Sequence, residues 1–489
     1  MRKRFDPQIN LGLVKIEDTK IDLSKKNRDA STKMGIAMLN LFNEPEYRDQ
    51  VLDILEDKVM GGKKKTGRPG MELWQIFVLA QYRLGLDLSY DELTYRVNND
   101  YTMRCLLGIQ ENEFGMERIE FGYQKVLDNV GLLTDDMINE INDVVINFGH
   151  KEVFKKKEGE ESILKTDSYV METNVHYPTD YNLLWDGARK SLDMVCKLID
   201  RHPFLNKGWR KKKDWYKRIK SSCRNIGLIS KHGGKNKAER YRQAVTSYLE
   251  MNEQLANKMI DWSGDIPTHD IMSWFIKDQL EQYIEWMIYH MDLLERRVLK
   301  GEKIPHSEKK FSLFEPYTEW INKGKFRPSV ELGKKHCITT DQYGLIIHNR
   351  IMEHESDSEV VLDIAVDLIA RYQIKSWSFD KGFWNPVNKE LLEDYVDQVI
   401  MPKKGRRTMA QEAEETHPKF KRLRNQHSAV ESNINELEHR GLDRCPDRSY
   451  EHFRRYTAIG ICAYNLHKIG AELIRQGKQA LKEAPKQAA

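Results

Sequence analysis

No cysteine pair in this sequence has the spacing of a zinc ribbon or a thiol redox motif. The six cysteines (Cys105, Cys196, Cys223, Cys337, Cys445 and Cys462) are dispersed, and none belongs to a C-x-x-C pair. Scattered single thiols fit a reducing compartment. Long hydrophobic runs are also missing, so no segment reads as a membrane span. The N-terminus, Met1-Arg2-Lys3-Arg4-Phe5-Asp6, lacks the apolar stretch of a signal peptide. A large charge of either sign is absent as well. The formal net charge is only +4, which excludes a basic tail protein, although cations cluster locally and local fields govern nucleic-acid contact. These absences lead to the expectation of a cytoplasmic protein with no membrane attachment.

What is present is a chain of 489 residues, 40% hydrophobic and 31% charged, which is too long for one ordinary core and suits two or three domains. Residues 1–30 are polar and read as a flexible arm. Residues 31–60 carry Met34, Met38, Leu41, Val51, Ile54 and Leu55 at helical spacing. The segment Gly61-Gly62-Lys63-Lys64-Lys65-Thr66-Gly67-Arg68-Pro69-Gly70 is basic and helix-breaking. An apolar helix around Trp74, Phe77 and Leu79 follows, then a turn, then a helix with Ser89 as N-cap and Glu92 as its capping-box partner. Helix, short turn, helix is the outline of a helix-turn-helix. Lys63, Lys64, Lys65 and Arg68 beside it could follow a phosphate backbone or enter a minor groove. Any small helical bundle would share this outline. Helices continue over residues 110–150.

The segment from Ile163 to Val175 is strand-like and contains one acid, Asp167. A carboxylate inside a strand is costly unless it is paired or binds a metal; the alternative is the solvated face of an edge strand. Pro178 ends the extended run, and Thr179 or Asp180 caps the first of several long helices that fill residues 183–300. Within this block Lys207, Trp209, Arg210, Lys211, Lys212, Lys213, Trp215, Lys217 and Arg218 alternate cations with aromatic rings. Such a run offers phosphate neutralisation and stacking together, although a charge run is more commonly just a solvated helix face.

Two strand-like runs flank a hairpin turn at Asp341-Gln342-Tyr343-Gly344. A helix over 358–371, a strand from Ile374 ending at Asp380, a helix from Val387 to Tyr395 and a strand at Val399–Pro402 come next. Residues 408–480 read as helical. With the helical block set aside, this order resembles the ribonuclease-H-like fold: three antiparallel strands, then parallel additions with crossover helices. That fold brings an acid in the first strand beside an acid at the end of the fourth, and its last helix can present a third. Three such carboxylates hold two divalent cations about 3.5–4 Å apart in two-metal phosphoryl-transfer sites, and hard oxygen ligands favour magnesium. On helical spacing Glu436 falls opposite the apolar stripe of Leu423, Val430, Ile434 and Leu437, while Glu431 and Glu438 both flank it. Periodicity does not separate those two.

Four blocks make the resemblance specific. They are Lys165-Thr166-Asp167-Ser168 with Glu172-Thr173-Asn174-Val175-His176-Tyr177-Pro178; Ser378-Phe379-Asp380-Lys381-Gly382-Phe383; Lys403-Lys404-Gly405; and Arg424-Asn425-Gln426-His427-Ser428-Ala429-Val430-Glu431 with Asn465-Leu466. In this order they are similar to DDE transposases of bacterial insertion sequences, over most of residues 60–470. The resemblance implies a catalytic and metal-binding triad of Asp167, Asp380 and Glu431, with magnesium (two ions, manganese as a substitute). It implies double-stranded DNA as partner, both element ends and target, and a homodimer to hold two ends together. Lys381, Lys403, Lys404, Arg406 and Arg424 become candidates for phosphate contact.

The sequence departs from many such proteins in two ways. Its long separation lies between Asp167 and Asp380 rather than before the glutamate, and the seventh position after Glu431 is Glu438 where some relatives have lysine. The expected architecture is an α/β ribonuclease-H-like mixed sheet from residues 151–182 and 331–470, interrupted by a helical insertion at 183–330. An N-terminal arm with helices (1–60), an all-α helix-turn-helix-like domain (61–150) and a disordered tail (471–489) complete it. A nuclease-only relative and a non-enzymatic DNA-binding protein are the rival readings.

Overall fold

The computed structural model describes residues 2–4, 16, 19, 21, 29–61, 70–109, 119–232, 234–322 and 329–483. The cations Lys63, Lys64, Lys65 and Arg68 lie outside these residues. The chain forms two compact units, one from Met1–Asn174 with Ile321–Ala489 and the other from Val175–Trp320.

The first unit is built on a sheet with strands β1 (Ser162–Thr173), β3 (Val330–Thr340), β4 (Ile346–Ile351), β5 (Ile374–Phe379), β6 (Gln398–Ile400) and β7 (Arg444–Cys445); the short strand β2 (Glu319–Asn322) falls where the two units divide. The sheet's central order is β3-β1-β5-β6, with β4 added to β3 and β7 to β1. β3 is antiparallel to both β1 and β4, while β5 is parallel to β1 and β6 is parallel to β5. This is the mixed sheet expected from the element order, and it is compatible with a ribonuclease-H-like fold. The β3–β4 hairpin turns where Asp341 Oδ1 accepts from the backbone N–H groups of Tyr343 and Leu345, each at 2.9 Å, with Gly344 at φ +78°. Glycine is the residue that enters that region without strain.

Several boundaries differ from expectation. The remainder after residue 408 is not wholly helical. Gly441 at φ +88° ends a helical stretch, and Arg444–Cys445 then pairs in parallel with Glu172–Thr173 of β1. The C-terminal helix runs Tyr450–Glu483 rather than ending in a disordered tail near residue 471. Its last turns are held by Arg475 with Glu472 and by Gln479 with Glu483, and Gln476 donates to the Val153 carbonyl at 2.8 Å. The first residues are not a free arm where they are described. The backbone N–H groups of Leu73 and Trp74 donate to the carbonyls of Lys3 and Arg4 at 3.1 and 3.2 Å.

The N-terminal helices pack into the same unit as the sheet. The C-terminal helix packs against Ala30–Asn43, Leu73–Gly85 and Asp135–Phe148. Asn465 on it is fully buried and spans three elements. Its side chain accepts from the Ile346 N–H at 2.8 Å and donates to the Ile346 carbonyl and to Asn142, both at 2.9 Å. Ser89 caps the helix Tyr90–Asn99 through the capping box with Glu92, and a short turn separates it from Leu73–Gly85. The exposed surface of that second helix, however, carries Asp91, Glu92, Tyr95 and Asn99; acids at its first turn oppose phosphate contact there.

The second unit is helical: Asp180–Arg201, Lys212–Lys231, Lys237–Ser263 and Ile271–Val298. Thr179 stands at the N-cap of the first without a side-chain capping bond, and Asp180 in the first turn pairs with Arg297 at 2.8 Å. Leu198, Ile219, Val245, Leu255, Leu280 and Met287 contribute to its core. No helix among the described residues is long and apolar enough to cross a membrane.

Candidate active site

Asp167 occupies the middle of β1, and the strand's own pairing decides its neighbours. Thr166 is the parallel register partner of Phe379 at the end of β5. The next residue on each strand is an acid, Asp167 on one and Asp380 on the other, so parallel pairing sets the two side by side. Asp380 is exposed and opens a short 3-10 turn over Lys381–Phe383. The helix Ser428–Leu437 lies over β1 and presents an exposed Glu431 in its first turn. His427 just before it is buried, and its Nδ1 meets the Ser378 hydroxyl at 3.0 Å, which ties the helix start to β5.

The electrostatics connect these acids. Burial pushes the Asp167 carboxyl up to about 7, and the negative charges of Asp380, Asp357 and Glu431 add to the rise, while the Ser168 N–H at 2.7 Å opposes it. Among the described residues no Lys, Arg or His forms an ion pair with Asp167, Asp380 or Glu431. Of the other two helix candidates, Glu436 is paired with Lys468 at 2.7 Å and with Arg440 at 3.0 Å, while Glu438 is half-buried and its charge adds to the upward shift of the buried Tyr169 hydroxyl. Among the described residues no three His, Cys, Asp or Glu side chains are gathered into a ready-made metal cage. The three acids offer oxygen donors, none of them in an ion pair among the described residues, and they are spread over a strand, a strand end and a helix. That chemistry suits a hard divalent ion.

One acid had no distinguishing signal in the sequence. Asp357 lies in the acid-rich Glu353-His354-Glu355-Ser356-Asp357 segment, where nothing separates it from its neighbours. Its carboxylate accepts from the Ser168 hydroxyl at 2.7 Å and from Lys335 Nζ at 2.9 Å on both oxygens.

The candidate DNA contacts divide by exposure. Lys381, Lys404, Arg406 and Arg424 are exposed in the sheet-bearing unit. Lys403 is half-buried, its ammonium on Gln411 and its backbone N–H on Glu415. In the helical unit Lys207, Arg210, Lys211, Lys213, Lys217 and Arg218 are exposed, while Lys212 is half-buried and 4.0 Å from Asp200. Trp209 must be corrected: it is 1% exposed, packed edge-on to Trp262, and is a core residue rather than a stacking platform. Trp215 is partly buried against the same core, with the Arg218 guanidinium 5.4 Å from its ring centre. The helix Lys212–Lys231 carries a cationic groove of about 440 Å³ lined by Lys213, Tyr216, Lys217, Lys220, Ser221 and Arg224, positions that recur at helical spacing on one face.

Residues 302–466 match the family model of the transposase DDE domain. No curated protein and no solved structure matches the chain. The matched residues include β3 to β7, Asp380, Asp357 and Glu431, and they begin well after Asp167. Over residues 302–466, about a third of its length, this chain is similar to the transposase DDE domain family.

Proposed function

We propose that the protein is a DNA transposase that binds the terminal inverted repeats of its own element and catalyses phosphodiester cleavage and strand transfer. The observation that supports this reading is the juxtaposition of Asp167 and Asp380 by strand pairing, beneath the helix bearing Glu431, with none of the three in an ion pair among the described residues. Asp167, Asp380 and Glu431 would hold divalent magnesium. When bound, it supplies activation of the attacking oxygen and stabilisation of the leaving one. In the first reaction water attacks the phosphodiester at the element end, the P–O bond to the 3′ oxygen breaks, and that oxygen leaves as a free hydroxyl. In the second, this hydroxyl attacks a phosphodiester of target DNA and displaces a target 3′ oxygen. Phosphorus is neither oxidised nor reduced, and each step exchanges one P–O bond for another.

The chain's own residues do three things in this scheme. The carboxylates orient the reacting phosphate's counter-charge, the cationic face of Lys212–Lys231 neutralises backbone phosphates, and a homodimer holds two ends for one transfer. The helix-turn-helix outline and its basic flank at Lys63–Arg68 are a second candidate for end recognition. The test is nicking of labelled duplex carrying the inverted repeats that flank the gene, in magnesium. Asp167→Ala, Asp380→Ala and Glu431→Ala should each reduce nicking at least a thousandfold while a gel-shift with the same duplex persists. Three variants that nick like wild type would end the enzyme reading. Nicked ends that never appear joined to target would favour a nuclease.

A further inference from the structure

Asp167 and Ser168 are consecutive in β1, so their side chains leave opposite faces of the sheet. Glu431's helix packs with Asp167 in the site, whereas Asp357 takes the side of Ser168. The register explains how: Ser168 pairs with Cys337 and Val170 with Lys335, so Ser168 and Lys335 project from one face, two positions apart. Asp357 receives both, the Ser168 hydroxyl at 2.7 Å and the Lys335 ammonium at 2.9 Å on each oxygen. It also touches the turn that carries Asp380. A Cβ on Gly382 would stand 2.7 Å from Asp357 Oδ2, so the turn and this carboxylate lie in close contact. The loop holding Asp357 is itself fixed, since the Ser356 N–H and hydroxyl both donate to Glu359, at 2.6 and 2.7 Å.

We infer that Asp357 is a positioning residue of the proposed site: from the far face of the sheet it clamps β1, β3 and the Asp380 turn together and so sets the separation of Asp167 and Asp380. The inference rests on the proposed triad. Lys335 offsets part of the Asp357 charge, although that carboxylate still contributes to the rise at Asp167; the three acids are left to hold the divalent ions. Outer-shell partners of this kind govern metal affinity through ligand placement.

The test is direct Mn²⁺ binding to the full-length, DNA-free protein, followed by calorimetry and by the paramagnetic signal of free manganese. Asp167→Ala should abolish the binding seen in wild type. Ser168→Ala and Lys335→Gln should each weaken it by about tenfold or more, with Lys335→Arg restoring most of the loss and far-UV circular dichroism unchanged. A mere field effect predicts the reverse for Lys335→Gln, because removing a cation tightens cation binding, and predicts no change for Ser168→Ala. Any pattern other than weakening in both variants overturns the clamp. Should Asp357→Ala fail to fold, those two variants still decide the question. Binding that Asp167→Ala leaves intact means that the triad reading has failed, and the clamp falls with it; an intact triad with unaffected Ser168→Ala fails the clamp alone.

Discussion

Asp167 is held in a state that an isolated carboxylate avoids. Half-buried between strands and flanked by Asp380, Asp357 and Glu431, its carboxyl is pushed up to about 7. The unfolded chain releases that proton near the ordinary value of 3.8, so between about pH 4 and 7 the folded state holds more protons than the unfolded one. Stability from this group is therefore lost as pH rises through that window. Buried His336 and His427 and half-buried His348, each lowered to about 4, act in the opposite direction, since they bind protons more readily when unfolded. The whole-protein pH profile mixes these terms, and only a difference isolates Asp167. Asp167→Asn should be more stable than wild type at pH 8 in the absence of divalent ions, on the order of 2 kcal/mol once solvent screening is allowed for. At pH 4 the two should converge. Melting curves that run parallel across pH 4–8 would refute the assignment of strain to this carboxylate. Little of this was legible in residues 163–175 themselves. A lone acid in a strand signals an anomaly, and only the register with β5 reveals the partner.

At the scale of elements, the N-terminal helices are bound into the sheet-bearing unit by a buried ion pair. Arg83 on Leu73–Gly85 donates to both oxygens of Asp447 at 3.1 and 2.7 Å, with its guanidinium 4.0 Å above the Tyr90 ring. Removing Arg83 leaves Asp447 with only the longer Arg455 contact at 3.9 Å among the described residues. Arg83→Met should cost about 3 kcal/mol or more, and Arg83→Met with Asp447→Leu should cost less than Arg83→Met alone, as read by denaturant unfolding. A double variant no better than the single would show that packing, not the stranded charge, sets the loss. A second link is Gly470, whose Cβ would collide with the Lys33 carbonyl where the C-terminal helix crosses Ala30–Asn43. Gly470→Ala should destabilise by about 1–3 kcal/mol. The sequence made most elements legible because alternation and helical spacing extend over many residues. It hid β7, because two residues carry no period, and it hid the Arg83–Asp447 contact, because 364 positions separate the partners.

At the scale of the whole molecule, the helical unit Val175–Trp320 raises a question of charge against packing. The run from Lys207 to Arg218 reads as one basic aromatic segment, yet it folds into two kinds of residue. Trp209 and Ile219 turn into the core while Lys213, Lys217, Lys220 and Arg224 stay on the surface along one helix face. Sequence adjacency cannot make that division: Trp209 precedes the helix and is buried against Trp262, and within the helix each residue advances by about 100°, so neighbours point in different directions. The two kinds should fail differently. Trp209→Ala deletes a large buried side chain and should cost about 3–5 kcal/mol in stability, lowering DNA binding only as far as it lowers the folded fraction. The triple variant Lys213→Glu, Lys217→Glu and Arg224→Glu should fold normally and lose DNA affinity. If all three cations meet phosphates, the dependence of log K on log salt should become shallower by about 2.7, which is 0.9 per lost contact on duplex DNA. Fluorescence anisotropy with a labelled terminal-repeat duplex at several salt concentrations gives both numbers. An unchanged slope would mean that this face does not touch the duplex, and end binding would then have to come from the sheet-bearing unit.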